Sequence, residues 1–152
     1  MDLYLRTQKD PNNELHEGKP AFFWGQGEND LIVDAGDFAI VSGVEKLNQS
    51  MAKILTTERG ANFFFQEYGS LLHSFIGQTF DIDYLRAKIK TDIIDTLRIY
   101  QFINKNESNL DEQIETLNAL KINQIFSDSL EVSFRVTTRS GKTTGGLVQI
   151  ED

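Results

Sequence analysis

The stretch that decides the fold is SLEVSFRVTTRSGKTTGGLVQI, residues 129–150. Leu130, Val132, Phe134 and Val136 alternate strictly with polar residues, the period of a strand with one buried and one solvated face. Ser140-Gly141-Lys142 supplies a turn, and GLVQI (146–150) folds back as a second strand. Upstream, LNALKINQIF (117–126) is strand-like, and Ser127-Asp128 is a natural turn into 129. The runs 117–126, 129–139 and 146–150 therefore predict a three-stranded antiparallel meander.

A sheet with one apolar face needs a cover, and the preceding residues provide it. Ile82, Leu85, Ile89, Ile93 and Leu97 fall three or four apart, with Ile94 and Tyr100 beside that face. Arg86, Lys88, Lys90, Asp92 and Asp95 lie opposite and read as the solvated side of an amphipathic helix over 82–103. Asp81-Ile82-Asp83 reads as its cap. Ser108 and Asp111 predict one further short helical turn, 109–115.

Earlier still, Ser42 and Glu45 make an S-x-x-E capping box. Val44, Leu47, Met51, Ile54 and Leu55 share one face, and Arg59-Gly60 is a plausible stop, so a helix is expected over 43–58. A short helix over 70–76 ends at Gly77. The class is α+β, with these three helices packed on the C-terminal sheet.

The N-terminal part is less regular. DLYLR (2–6) suits a short strand, and 7–30 holds both prolines and reads as a loop. Phe22, Phe23 and Trp24 are adjacent in that loop, and such aromatics need cover from the chain's own core or from a partner. Leu31 to Val33 and Phe38 to Val41 are strand-like around an Asp34-Ala35-Gly36-Asp37 turn. An arm (1–30) followed by an α+β domain (31–152) is the expected organisation.

Composition narrows the function. The chain of 152 residues is 39% hydrophobic, too apolar for a disordered segment. Its net charge of -8 repels phosphate backbones, so nucleic acid is not an expected partner. Without cysteine there are no disulfides or thiolate metal sites. No signal-peptide pattern and no membrane-length apolar run is visible, so a soluble intracellular chain without membrane contact is expected.

The stretch TTERGANFFFQEYGS (56–70) poses the functional question. Glu58 and Glu67 flank three phenylalanines, and paired carboxylates can hydrolyse glycosides. With 23 acidic residues such pairs arise by chance, and solvated carboxylates are the simpler reading. His16 and His73 are too far apart in sequence for a recognisable metal motif. SGKTTGG (140–146) lacks the glycine spacing and the following helix of a phosphate loop, so a hairpin turn is the better reading. No catalytic, metal or cofactor site is expected. Adjacent Phe63, Phe64 and Phe65 cannot all enter one small core, so at least one is expected to face outward and dock.

The run LIVDAGDFAIVSGVEKLNQSMAKILTTERGANFFFQEYGSLLHSFIG (31–77) resembles the lysozyme-like baseplate wedge family, or sheath initiators, of contractile phage tails and related injection machines. The likeness rests on the helix with Glu45 and Gln49, the Leu55-Thr56-Thr57 helix end, Gly60, and Tyr68-Gly69-Ser70 opening a short helix. A long helix and a three-stranded sheet then close the domain, so the likeness spans most of 31–150. The glutamate-proline-arginine triplet that many members carry before the sheet is absent, and NESNLDE (106–112) stands there.

The resemblance implies a structural virion protein, not an enzyme, assembled in the bacterial host cytoplasm. Six copies would surround the tail tube in the baseplate, contacting wedge proteins. The C-terminal sheet would accept strands from the tail sheath protein and template its first ring. Carried over, Leu130, Val132, Phe134, Val136, Leu147, Val148 and Ile150 belong to the sheath platform. Phe22, Phe23, Trp24, Glu45, Gln49, Phe63, Phe64, Phe65 and Tyr68 would face wedge or tube. A glycan hydrolase of the baseplate is the alternative.

Overall fold

The computed structural model describes residues 21–22, 33–34, 37–38, 40–78, 81–125 and 128–151. The expected strand at 2–6, Phe23, Trp24 and His16 lie outside the described residues. Two short ribbons come first. β1 (Ala21–Phe22) pairs antiparallel with β4 (Ile40–Val41), and β2 (Val33–Asp34) pairs antiparallel with β3 (Asp37–Phe38), so Asp34 and Asp37 of the expected turn are strand residues, while its residues 35–36 lie outside the described residues. The β1–β4 pairing departs from the loop expected over 7–30 and joins the arm to the domain.

Helix α1 spans Gly43–Thr56, α2 Leu72–Phe75 and α3 Ile82–Ile103. A 3₁₀ turn at Leu110–Glu112 leads into the sheet β5 (Ile114–Ile125), β6 (Ser129–Thr138) and β7 (Thr143–Glu151), in the order β5-β6-β7. The architecture is the α+β meander expected from the alternation of 129–150. The core joins Leu47, Met51, Ile54 and Leu55 of α1 to Leu85, Ile89, Ile93 and Leu97 of α3. The same cluster contains Leu130, Val132, Phe134 and Val136 of β6 and Val148 and Ile150 of β7. Burying each such apolar side chain contributes about 1.5–3 kcal/mol. None of the described helices is long and apolar enough to cross a membrane.

Several boundaries move, each for a local reason. α1 stops at Thr56 and not at 58, because Thr57 is extended and begins the Glu58–Ser70 bridge. That places Glu58 outside the helix. α2 starts at Leu72, since Ser70 is committed to the same bridge. The Ser42–Glu45 capping box is not made, for the Ser42 side chain forms no cap bond. Instead Glu112 accepts the Gly43 N–H at 2.9 Å, from a segment 69 residues away. Asp81 caps α3 as expected, accepting from Asp83 N–H at 2.8 Å. Ile82 is exposed, off the buried stripe that begins at Leu85.

The C-terminal third holds more sheet than its pattern suggests. β5 begins at Ile114 in place of 117, so the expected helical turn over 109–115 shrinks to Leu110–Glu112, capped by Asn109 and not Ser108. β7 begins at Thr143, before the glycine pair at 145–146. A Cβ at Gly145 would meet Phe134 O at 2.3 Å, so that glycine lets β6 and β7 approach. SGK is the hairpin turn, closed by Thr138 N–H donating to Lys142 O at 2.8 Å.

Candidate functional site: an aromatic tip on a buried clasp

Between α1 and α2 the chain makes a loop, 57–71, with a fixed base and an open tip. At the base, Ser70 N–H donates to Thr57 O and Arg59 N–H to Ser70 O, both at 2.9 Å. Ser70 Oγ donates to Leu55 O at 2.6 Å, tying the loop to the last turn of α1, where carbonyls lack partners within the helix. His73 Nε2 lies 3.0 Å from Thr56 O and serves the same helix end. Gly69 has φ +113, and a Cβ there would stand 2.7 Å from Thr57 O. Glycine is therefore required where the two base strands cross.

Arg59 locks this base onto α3. Its guanidinium lies 3.1 Å from Asp92 Oδ1, and it donates to Thr96 Oγ1 at 3.2 Å and Gly69 O at 3.3 Å. Asp92 Oδ2 accepts the Leu71 N–H at 2.9 Å. Asp92 and Thr96 stand one helical turn apart inside the buried stripe of α3, forming a polar notch that Arg59 fills. Burial pushes the Asp92 carboxyl above its ordinary value, while the Leu71 N–H and Arg59 pull it back and Asp95 adds to the rise. Asp92 is thus a buried anchor and not the solvated residue its position suggested.

The tip is the reverse. Phe63 is 85% exposed and Phe64 93% exposed, their rings edge-to-face with centroids 5.5 Å apart. Asn62 Oδ1 accepts from Phe64 N–H at 3.0 Å and Phe65 N–H at 3.2 Å, fixing the turn that presents them. Phe65 is half-buried, and Tyr68 packs against the core, where burial raises its hydroxyl pKa. The expectation that at least one of the three phenylalanines faces outward is met by two. Glu58 and Glu67 are both exposed on this loop.

Other candidate residues scatter. Glu45 and Gln49 are half-buried near the start of α1, about 10–20 Å along the axis from the loop it feeds. Phe22 lies in β1. Of the sheath-platform residues, Leu130, Val132, Phe134, Val136, Val148 and Ile150 are buried in the domain's own core, and Leu147 is half-exposed. Those six side chains line the core face of the sheet.

Within the segment 106–112, Glu107, Asp111 and Glu112 make contacts inside the domain, while Asn106, Ser108 and Leu110 are exposed. Glu112 is fully buried and paired with Lys46, which reaches Glu107 as well at 3.5 Å. Asp111 holds Lys142 of the β6–β7 turn at 2.6 Å. A polar cleft of about 220 Å³ beside it, lined by Gln101, Lys105, Glu115 and Arg139, is smaller than a usual ligand pocket and includes neither Glu58 nor Glu67. Among the described residues, no group of three or more His, Cys, Asp or Glu side chains is placed to hold a metal ion.

The fold is shared with a crystal structure from Geobacter sulfurreducens described as a "putative tail lysozyme". The two superpose with a TM-score of 0.56 over 74% of this chain and 95% of the other, at 16% sequence identity. At that identity the likeness concerns the fold. No protein-family profile and no curated protein matches the chain.

Proposed function

We propose that this protein is a structural component of a contractile phage-tail baseplate, placed in the wedge around the tube, whose C-terminal sheet templates the first sheath ring by strand sharing. The observation that carries the reading is the regularity of β7. It pairs with β6 in unbroken register over nine residue pairs, from Ser129–Glu151 to Thr137–Thr143. β5, the other outer strand, shifts register against β6 three times. Bulges disrupt an edge as a template, whereas a straight edge offers regularly spaced N–H and C=O groups to an incoming strand. Among the described residues nothing pairs with the outer side of β7. The fold likeness to a protein described as a tail lysozyme supports a tail setting.

The test is to mix the purified chain with its cognate sheath protein and look for sheath polymer by negative-stain microscopy. Removing 140–152 would take Val148 and Ile150 from the core, so the informative variant is Leu147→Arg, at the half-exposed position of β7. Polymer nucleated by the wild type and lost with Leu147→Arg supports strand sharing at β7. Absence of both binding and nucleation by the wild type overturns it. The neighbour's description favours a second reading, hydrolysis of cell-wall glycan. Glycan cleavage that disappears in folded Glu58→Gln or Glu67→Gln would establish that reading instead.

A further inference from the structure

From the loop 57–71 we infer a second interaction surface: a preorganised aromatic knob that inserts into an apolar pocket with a cationic rim on a partner protein other than a copy of this chain. The inference rests on the assembly reading above, in that the partner is a protein. Two observations carry it. The tip exposes two large rings, whereas the loop beneath them is fixed by the Ser70 bridge, the Gly69 crossing and the Arg59–Asp92 pair. A free aromatic loop loses entropy on docking, and a fixed one has already lost it. Buried aromatic anchors surrounded by polar contacts are the usual high-energy elements of an interface.

Charge selects the occupant. Glu58 and Glu67 are exposed on the loop, and its sole cation, Arg59, is turned inward onto Asp92. The loop is therefore apolar at its tip and carries its exposed charge as carboxylates, Glu58 at the base and Glu67 between tip and base, on a chain of net charge -8. Such a surface is repelled by anionic lipid and by a second copy of itself, and is complemented by Lys or Arg around an apolar pocket.

The experiment places a photo-crosslinking benzoyl-phenylalanine at position 64, in the full chain made together with the other proteins of its particle, and sequences the crosslinked peptide. The expected product joins position 64 to a peptide of a different protein that carries apolar residues beside Lys or Arg. Phe63→Ser in the same chain should cut the yield about tenfold or more. Combined Glu58→Gln and Glu67→Gln should cut it severalfold at low salt and little at high salt. Circular dichroism should be unchanged, because these side chains are exposed. A crosslink within the chain, to a second copy, or none at all would overturn the knob, as would cosedimentation of the wild type with neutral phosphatidylcholine vesicles lost with Phe63→Ser. A chain that nucleates sheath but crosslinks nothing at position 64 separates this failure from failure of the sheath reading.

Discussion

Of the buried carboxylates, Glu112 and Asp92 each clasp segments distant in sequence, and they hold different things. Glu112 accepts the first N–H of α1 and pairs with Lys46; Asp92 accepts the Leu71 N–H and pairs with Arg59. The device is the same: a carboxylate taken out of water, supplied with one backbone donor and one cation. Around Glu112 the surroundings are further ion pairs, Lys46–Glu107 and Lys142–Asp111, which bind the helix start to the β6–β7 turn. Around Asp92 the surroundings lead outward, to a loop ending in Phe63 and Phe64. The first clasp secures a fold and the second secures a presentation. Rigidity spent on a loop that leaves its largest apolar side chains in water favours docking over packing as that loop's role.

Breaking each clasp should separate these roles. Glu112→Ala leaves the Gly43 N–H without its acceptor and removes one anionic partner of Lys46 at a fully buried site, and should cost about 4 kcal/mol of global stability in urea unfolding. Its amide-exchange signature should be general, with α1 and the sheet loosening together. Asp92→Ala should cost less, about 2–3 kcal/mol, because Arg59 keeps Thr96 and Gly69 as acceptors and some access to water. Here exchange should accelerate chiefly over 57–71 while β6 stays protected. A general loosening from Asp92→Ala, equal to that from Glu112→Ala, would remove the distinction between the two clasps.

The two regions also differ in how far the sequence reveals them. The strict alternation of Leu130 to Val136 names both the sheet and its buried face, because period two is a local property. The outward phenylalanines were legible for a similar reason: three adjacent rings cannot share one side of a chain. The clasps were not. Asp92 sits among Arg86, Lys88, Lys90 and Asp95 in sequence, and its partners inside the fold, Arg59 and the Leu71 N–H, stand 33 and 21 residues away. Glu112 sits in a polar run that looks like a turn, and its task is set by Gly43. Ser42 and Glu45 carried a local capping signal that the distant carboxylate displaced. The β5 and β7 starts were hidden by polar residues and a glycine pair, whose strand state follows from pairing with β6.

The smallest effect sharpens the comparison most, because it reads the Asp92 carboxyl directly. Burial raises its folded value above the ordinary 3.8, outweighing the Leu71 N–H and Arg59. The folded state then holds this proton more tightly than the unfolded chain. Stability from the group is fully present below 3.8 and falls as pH rises through the raised folded value. Asp92→Asn keeps an acceptor for Leu71 N–H but cannot titrate. The unfolding free energy of the wild type minus that of Asp92→Asn should therefore decline with rising pH across that window. Arg59→Leu, which removes the cation that opposes the rise, should steepen the decline in the aspartate chain. A difference that grows with pH would mean that the Arg59 pair outweighs burial, and that the clasp is held chiefly by charge and not by its place in the core.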